Sequence, residues 1–354
     1  MEQNTGLELL SFSGVVSATG YRWERARVIG KPAPESIEIG GEPQLFLVPA
    51  TSCSEFGRGD PKMLERCWEI SSQPALFRNF AEVALAPAAI EEFATTFGSL
   101  GDTYDAIVTF TDNDDSFACG ASFDTWTTEI ARMRTALRVS DIAEHGSVAD
   151  FLGIIRWREI SAGVEMFQLL NPPKPGDTVS PVPFRMAFSS RDEIRRLEIE
   201  PSKLRPFLRH IVATLIDRKL QNSFTMALGT SDDRSVFKFS LGPRGMLDAL
   251  WLQFALALHG KLQFRRCLEC SKWYPVAGGI TKQSDREDKL RCGSACRSRA
   301  QRKKKAEAKE LYSNGATIAE IAAKFDADPK NVEGWITGKL RRRKVKKKSK
   351  SRER

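Results

Sequence analysis

No apolar run in this 354-residue chain is long enough to cross a bilayer. The longest, residues 246–258, is interrupted by Asp248 and Gln253 and falls short of the ~20 apolar residues a spanning helix needs, so it reads as a buried core helix. Histidine is scarce: His145, His210 and His259 lie far apart, which excludes a local motif such as His-Glu-x-x-His. No glycine-rich phosphate loop and no Gly-x-Ser-x-Gly elbow occurs, so common nucleotide-binding and serine-hydrolase signatures are missing. The opening Met1-Glu2-Gln3-Asn4 is polar, with no cationic segment ahead of an apolar one. It predicts an intracellular, cytoplasmic protein with no membrane partner. In that reducing setting the scattered Cys53, Cys67 and Cys119 are expected as free thiols.

What is there is unevenly charged. Residues 261–354 hold 28 Lys and Arg against 11 Asp and Glu, a net of +17, whereas residues 1–260 hold 26 against 34, a net of −8. A basic C-terminal third fits a polyanionic partner, and the acidic remainder gains nothing from approaching phosphates. Length alone suggests two or three domains.

Residues 1–260 read as a helix-rich α+β region, one domain or two smaller ones. Strands are expected at 45–48, 106–110, 224–228 and 235–240; helices are expected at 87–97, 123–139, 148–170, 201–220 and 245–259. Residues 171–177, Asn-Pro-Pro-Lys-Pro-Gly-Asp, read as a loop. The oxygen-rich stretch 112–116 lacks the glycine and glutamate of a Ca²⁺ loop and is expected to be a solvated turn. Trp126, Ile130, Met133 and Leu137 recur at helical spacing, the pattern of a core-facing stripe rather than a ligand pocket.

Four of the seven cysteines form a different kind of pattern. Cys267, Cys270, Cys292 and Cys296 give C-x2-C-x21-C-x3-C. Two close pairs are what a tetrahedral metal site needs, because each pair supplies two thiolates from one local turn. One structural Zn²⁺ is expected, its shell closed by four thiolates. A strand ending in a knuckle at 265–275 and turns at Gly278-Gly279 and residues 284–288 are expected, with Cys292 and Cys296 on one face of a helix whose dipole favours thiolate. That geometry is a treble clef. The competing readings are a dithiol redox pair at Cys267 and Cys270, or four unrelated cysteines.

The run Arg291-Cys292-Gly293-Ser294-Ala295-Cys296-Arg297-Ser298-Arg299-Ala300, following a Cys-x2-Cys pair, resembles the CGNR-type treble-clef zinc finger of bacterial transcription regulators. Cys292 is followed by the family's glycine, then by Ser294-Ala295 where the family has Asn-Arg. The resemblance covers about 45 residues and implies a DNA-binding finger behind an N-terminal partner or signal domain.

Further on, residues 297–312 favour one continuous helix. Asn314-Gly315 is a stop signal, Thr317-Ile318-Ala319-Glu320 a capping box, and Asp328-Pro329 a third helix start. Leu311, Ile318, Ile321, Ala322, Phe325, Val332, Trp335 and Ile336 are expected to close a small core. The pattern is similar to the homeodomain-like helix-turn-helix of resolvases, transposases and many regulators. That resemblance makes the helix from Lys330 the recognition helix, with Lys330, Asn331, Glu333, Gly334 and Thr337 outward; Lys can donate to guanine and Asn can pair with adenine. A three-helix protein-binding module is the alternative. The tail, residues 341–354, has ten basic residues and one acid. It is expected to stay disordered until it meets phosphate, unless it only solubilises.

The expected order is therefore 1–260, a partner- or signal-binding domain; 261–300, a four-cysteine zinc finger; 301–340, a helix-turn-helix; and 341–354, a disordered polybasic tail. Arg297, Arg299, Arg302, Lys303, Lys330, Asn331, Gly334, Thr337, Lys339, Arg341, Arg342 and Arg343 are the expected nucleic-acid contacts. No catalytic residues are expected. The function expected is a non-enzymatic, zinc-containing regulator that reads duplex DNA, associated with the nucleoid, or nuclear in a nucleated cell. The alternatives are an RNA-binding or ribosome-associated zinc protein, and a recombinase or transposase accessory factor. An α-helix fits the DNA major groove but not the deep, narrow groove of A-form RNA, which favours DNA.

Overall fold

The computed structural model of the chain describes residues 13–16, 20–30, 42–50, 66–69, 73–101, 106–110, 113–161, 164–170, 172–181, 184–186, 196–221, 223–230, 237–260, 262–277 and 290–337. It mixes helix and sheet and divides into two units, residues 1–264 with 275–284 and residues 265–274 with 285–354. Among the described residues no helix is long and apolar enough to cross a membrane.

In chain order the first unit contains β1 (Ser13–Val16), β2 (Tyr21–Gly30), β3 (Gln44–Pro49), β4 (Arg66–Glu69), α1 (Leu76–Glu82), α2 (Pro87–Phe97), β5 (Ala106–Phe110), β6 (Asn113–Ser122), α3 (Phe123–His145), α4 (Val148–Leu152), β7 (Ile155–Ser161), β8 (Val164–Leu169), β9 (Phe184–Met186), α5 (Leu204–Leu220), β10 (Phe224–Thr230), β11 (Phe237–Pro243) and α6 (Met246–His259). β12 (Gln263–Arg266) and β13 (Trp273–Ala277), which pair, straddle the division. The second unit continues with α7 (Ser294–Ser313), α8 (Ile318–Phe325) and α9 (Pro329–Thr337).

Strands β2, β3, β6 and β5 close into a small antiparallel barrel. Strand alternation explains its two faces: Phe46 and Val48 fill the barrel with Ala26, Val28, Val108 and Ala118, while Leu47 between them joins the helical core. That core is organised on α3. Its stripe of Trp126, Ile130, Met133 and Leu137 is buried, and Phe80 of α1 meets Trp126 with ring centroids 6.3 Å apart. Phe77 of α1 stacks on Phe254 of α6 at 5.4 Å. The start of α6 is pinned by backbone contact. A Cβ on Gly101, whose φ is +113°, would lie 2.6 Å from the Gly245 Cα, closer than real carbon atoms approach.

One buried ion pair ties a loop to this core. The Arg134 guanidinium of α3 reaches Asp177 by two hydrogen bonds, of 2.9 and 3.1 Å, and also donates to the Ala81 and Val83 carbonyls. Asp177 accepts in turn from the Leu85 and Lys174 amides. Arg and Asp side chains are 4% and 1% exposed. Burial works to raise the Asp177 pKa, but the Arg134 and amide hydrogen bonds hold it below the usual carboxylate range.

Two expectations are corrected here. Residues 148–170 do not form one helix: α4 stops at Leu152, Gly153 follows, and Ile155–Ser161 and Val164–Leu169 pair as antiparallel strands. The alternating, β-branched and aromatic run Ile155-Arg156-Trp157-Arg158 suits a half-buried strand better than a helix. Of the turn expected at 112–116, residue 112 lies outside the described residues, and residues 113–116 are not a turn but the start of β6, where Asn113 pairs with Phe110. Helix α3 also runs six residues beyond the expected end, to His145. The strand expected at 235–240 is found from Phe237 on; residues 235–236 lie outside the described residues.

Candidate metal centre and the helices behind it

Strand β12 delivers Cys267 to a closed turn. The Cys267 amide donates to the Lys272 carbonyl at 2.9 Å and the Ser271 amide to the Cys267 carbonyl at 2.8 Å. Ser271 takes φ +58° to make that turn, a left-handed conformation unfavourable for any residue with a Cβ. The Leu268 amide donates to the Leu290 carbonyl at 3.2 Å, so the knuckle lies against the segment that enters the second cysteine pair. Arg266 places its guanidinium 5.0 Å from the Trp273 ring centre, a cation–π contact at the base of the turn.

The Sγ atoms of Cys267, Cys270, Cys292 and Cys296 all lie within 4.8 Å of one another. Cys270 and Cys292 sulfurs are 3.7 Å apart and those of Cys292 and Cys296 3.5 Å, too far for a disulfide at ~2.05 Å. The four cysteines are free thiols, and together they can hold a metal ion. One detail differs from expectation: α7 begins at Ser294, so Cys292 sits before the helix and only Cys296 lies on it. The bend through Gly293 still brings the two sulfurs together.

The thiols are electrostatically unequal. Burial pushes Cys267 up, but amides of Cys292, Glu269 and Cys270 donate to its sulfur and bring its pKa down to about 6. Cys292 is pushed up to about 12 by burial and by the sulfurs of Cys296, Cys270 and Cys267 around it. For Cys296 the hydrogen bond to Cys292 lowers the pKa, yet Cys270, burial and Cys267 together raise it. Amides stabilise one thiolate, and further thiolates crowd it until a cation enters.

Helix α7 leaves this centre and becomes the first wall of a three-helix core. Cys296 is in its first turn and Ala308, wholly buried, packs with Ile321, Ala322 and Val332. Leu311, Ile318, Phe325, Trp335 and Ile336 surround them. The turns between helices are chemically specified. The Ala316 amide returns to the Leu311 carbonyl, and Gly315 takes φ +92°, a conformation glycine adopts freely. Thr317 and Glu320 form a reciprocal capping box. The Asp328 carboxylate accepts from the Lys330 amide at 2.8 Å at the start of α9.

Of the expected nucleic-acid contacts, Arg297, Arg299 and Arg302 are exposed on α7. Lys303 is also exposed but bonds Glu269 in the knuckle at 2.7 Å, which ties α7 to the cysteine turn. That bond, then burial working against it and the charges of Lys303, Arg299 and Arg291, lowers the Glu269 pKa. On α9, Lys330, Asn331 and Thr337 are exposed and Gly334 half-buried, opposite buried Val332; the Thr337 hydroxyl donates to the Glu333 carbonyl. Lys339, Arg341, Arg342 and Arg343, with the rest of the tail and the expected turns at 278–279 and 284–288, lie outside the described residues.

Sequence reasoning missed Lys304. Its ammonium donates to the Phe325 carbonyl at 2.7 Å and sits 5.3 and 5.4 Å from the Phe325 and Trp335 ring centres, so one cation of a basic run serves the core. Its place between Lys303 and Lys305 gave no signal; only the helical phase shared with Ala308 and Leu311 did. The chain matches no protein-family model, no curated protein and no solved structure.

Proposed function

We propose that the chain is a zinc-containing DNA-binding protein, a transcriptional regulator that reads duplex DNA through α9. In this reading the cysteine cluster is a treble-clef zinc finger of the CGNR kind, and α7, α8 and α9 are a homeodomain-like helix-turn-helix. Residues 1–260 bind a partner or signal, and no catalytic step is assigned. The metal is supported by the donor set: Zn–S bonds of ~2.3 Å in a tetrahedron place sulfurs about 3.8 Å apart, and the sulfur separations of 3.5 and 3.7 Å fit. Four thiolates suit a structural ion rather than a catalytic one.

The observation that carries the DNA reading is the shared helix. One α7 holds Cys296 at one end and Ala308 of the three-helix core further along, and it bears seven basic residues against two acidic. Behind it α9 turns Lys330, Asn331 and Thr337 to solvent, donors suited to base edges and phosphates.

The test compares two lesions on DNA recovered by crosslinking and sequencing. Asn331→Ala should cost about 1–3 kcal/mol on the recovered motif and little on random duplex. Deleting residues 341–354 should weaken both alike, and if about six of its cations touch phosphate the log K against log salt slope flattens by about five. Equal loss on both DNAs from Asn331→Ala would remove base reading from α9 and favour a protein-binding module.

A further inference from the structure

Most large apolar side chains of the second unit turn inward, but two at the cysteine knuckle do not. Leu268, between the first two cysteines, is 68% exposed, and Leu290, two residues before Cys292, is 46% exposed. They belong to one tip, because the Leu268 amide donates to the Leu290 carbonyl at 3.2 Å. The turn is made by backbone bonds and by Ser271, and the metal ligands are the cysteines.

The surround of this tip is cationic. Arg266 precedes the knuckle and Lys272 ends it, both exposed, and the Cys267 amide to Lys272 carbonyl bond brings those ends together. Arg291 follows Leu290 directly. The knuckle's one acid, Glu269, is paired with Lys303, so it does not oppose a polyanion. Two leucines are far too little surface for a stable protein partner, which takes about 800 Å² from each side. A small apolar tip ringed by cations matches a different surface: phosphates flanking the apolar faces of stacked bases. Proteins that kink duplexes use such leucine wedges between base pairs.

We propose that Leu268, backed by Leu290, is a wedge that enters a base step of the bound duplex while the neighbouring cations hold the flanking phosphates. The inference rests on the DNA-binding reading above and adds a second contact, separate from α9, that acts on base stacking. Flexible pyrimidine–purine steps unstack most readily, so the wedge favours these.

The experiment uses the full zinc-loaded chain and a duplex carrying 2-aminopurine at a TA or CA step, with binding followed by anisotropy of an end label. Unstacking of the probe should raise its fluorescence several-fold at saturation. Leu268→Ala should abolish most of that rise and weaken binding about tenfold, the scale of one leucine's burial, with zinc content and salt slope unchanged. Leu268→Met, which keeps an apolar tip, should retain the rise. Saturable binding without any 2-aminopurine response, or an equal response in Leu268→Ala, overturns the wedge and leaves the DNA reading standing. Absence of duplex binding at any salt sinks the DNA reading itself. A Leu268-dependent dimer in sedimentation velocity, with no probe response, would replace the duplex by a second copy as the tip's occupant and also overturns the proposal.

Discussion

The first unit buries Trp126, Trp251, Phe77, Phe80 and Phe254 in one large cluster. The second buries, among its described residues, Tyr274, Ala308, Ile321, Ala322, Val332 and the cysteines Cys267 and Cys296. At roughly 1.5–3 kcal/mol for each large apolar side chain fully buried, the first draws far more on packing than the second, whose larger apolar groups Leu311, Phe325 and Trp335 are only partly buried. Charge follows the same division. Residues 1–260 carry −8 and place Arg134 and Asp177 in the interior, while residues 261–354 carry +17 and, among the described residues, leave most cations exposed. A unit with a large core can hold buried polar groups; in the proposed reading the other adds a metal to its smaller one.

The largest expected effect breaks that comparison directly. Stripping metal with a chelator, or Cys292→Ser, should unfold residues 265–300, since structural zinc contributes about 10–16 kcal/mol in finger peptides. The unfolding transition of the first unit should stay where it is. Hydrogen exchange read by mass spectrometry resolves the two regions, and protection retained around α7 in Cys292→Ser would show that packing, not metal, holds the second unit.

Next comes the interior of the first unit. Arg134→Ala leaves the Asp177 carboxylate buried without its bidentate partner, a lesion of about 3–5 kcal/mol. Chemical denaturation of the metal-loaded protein should show it in the first unit's transition alone. A loss below about 1 kcal/mol would mean that water reaches Asp177 through the loop at 172–178.

Much of this was legible beforehand, and the failures have physical causes. Helix 87–97 and strand 106–110 were readable to the residue because Pro87 opens one and β-branched residues mark the other. The sulfur cluster was legible because its ligands come as two local pairs. Residues 148–170 were misread because period alone does not separate a short helix with a hairpin from one long helix when both carry apolar residues. Helix α1 has no side-chain cap and exists because Leu76, Phe77 and Phe80 are buried, a tertiary reason. The Arg134–Asp177 clamp spans 43 residues of sequence, and the Lys303–Glu269 bond depends on where α7 leaves the knuckle; neither has a local signature.

A smaller effect tests whether the first unit tolerates every buried charge equally. Asp248 is 1% exposed. Burial raises its pKa to about 6, against the lowering effects of the Ser223 hydroxyl, Lys219 and Arg244. Its ordinary value is 3.8, so between about pH 4 and 6 the folded state binds the extra proton and stability falls as pH rises. The full shift is worth about 3 kcal/mol. Asp248→Asn keeps an acceptor for Ser223 and should flatten this fall, leaving the first unit more stable than wild type above pH 6. Denaturation midpoints of the two proteins across that range give the comparison. An unchanged slope in Asp248→Asn would move the titration to another group.

The smallest effect returns to the cysteine turn. Ser271 at φ +58° bears the left-handed cost of about 1–2 kcal/mol, offset because the turn aims the Glu269 and Cys270 amides at the Cys267 sulfur. Ser271→Gly removes that cost but gives the unfolded chain more freedom, about 0.5–1 kcal/mol, so metal retention against a competing chelator should stay the same or tighten slightly. Ser271→Val places a β-branched side chain where φ is positive, a genuine outlier, and should loosen retention by about tenfold. The pair separates two origins of the turn. If glycine and valine behave alike, the metal is dictating the knuckle regardless of residue; if they diverge as expected, the backbone conformation is part of what lets the four cysteines hold the proposed ion.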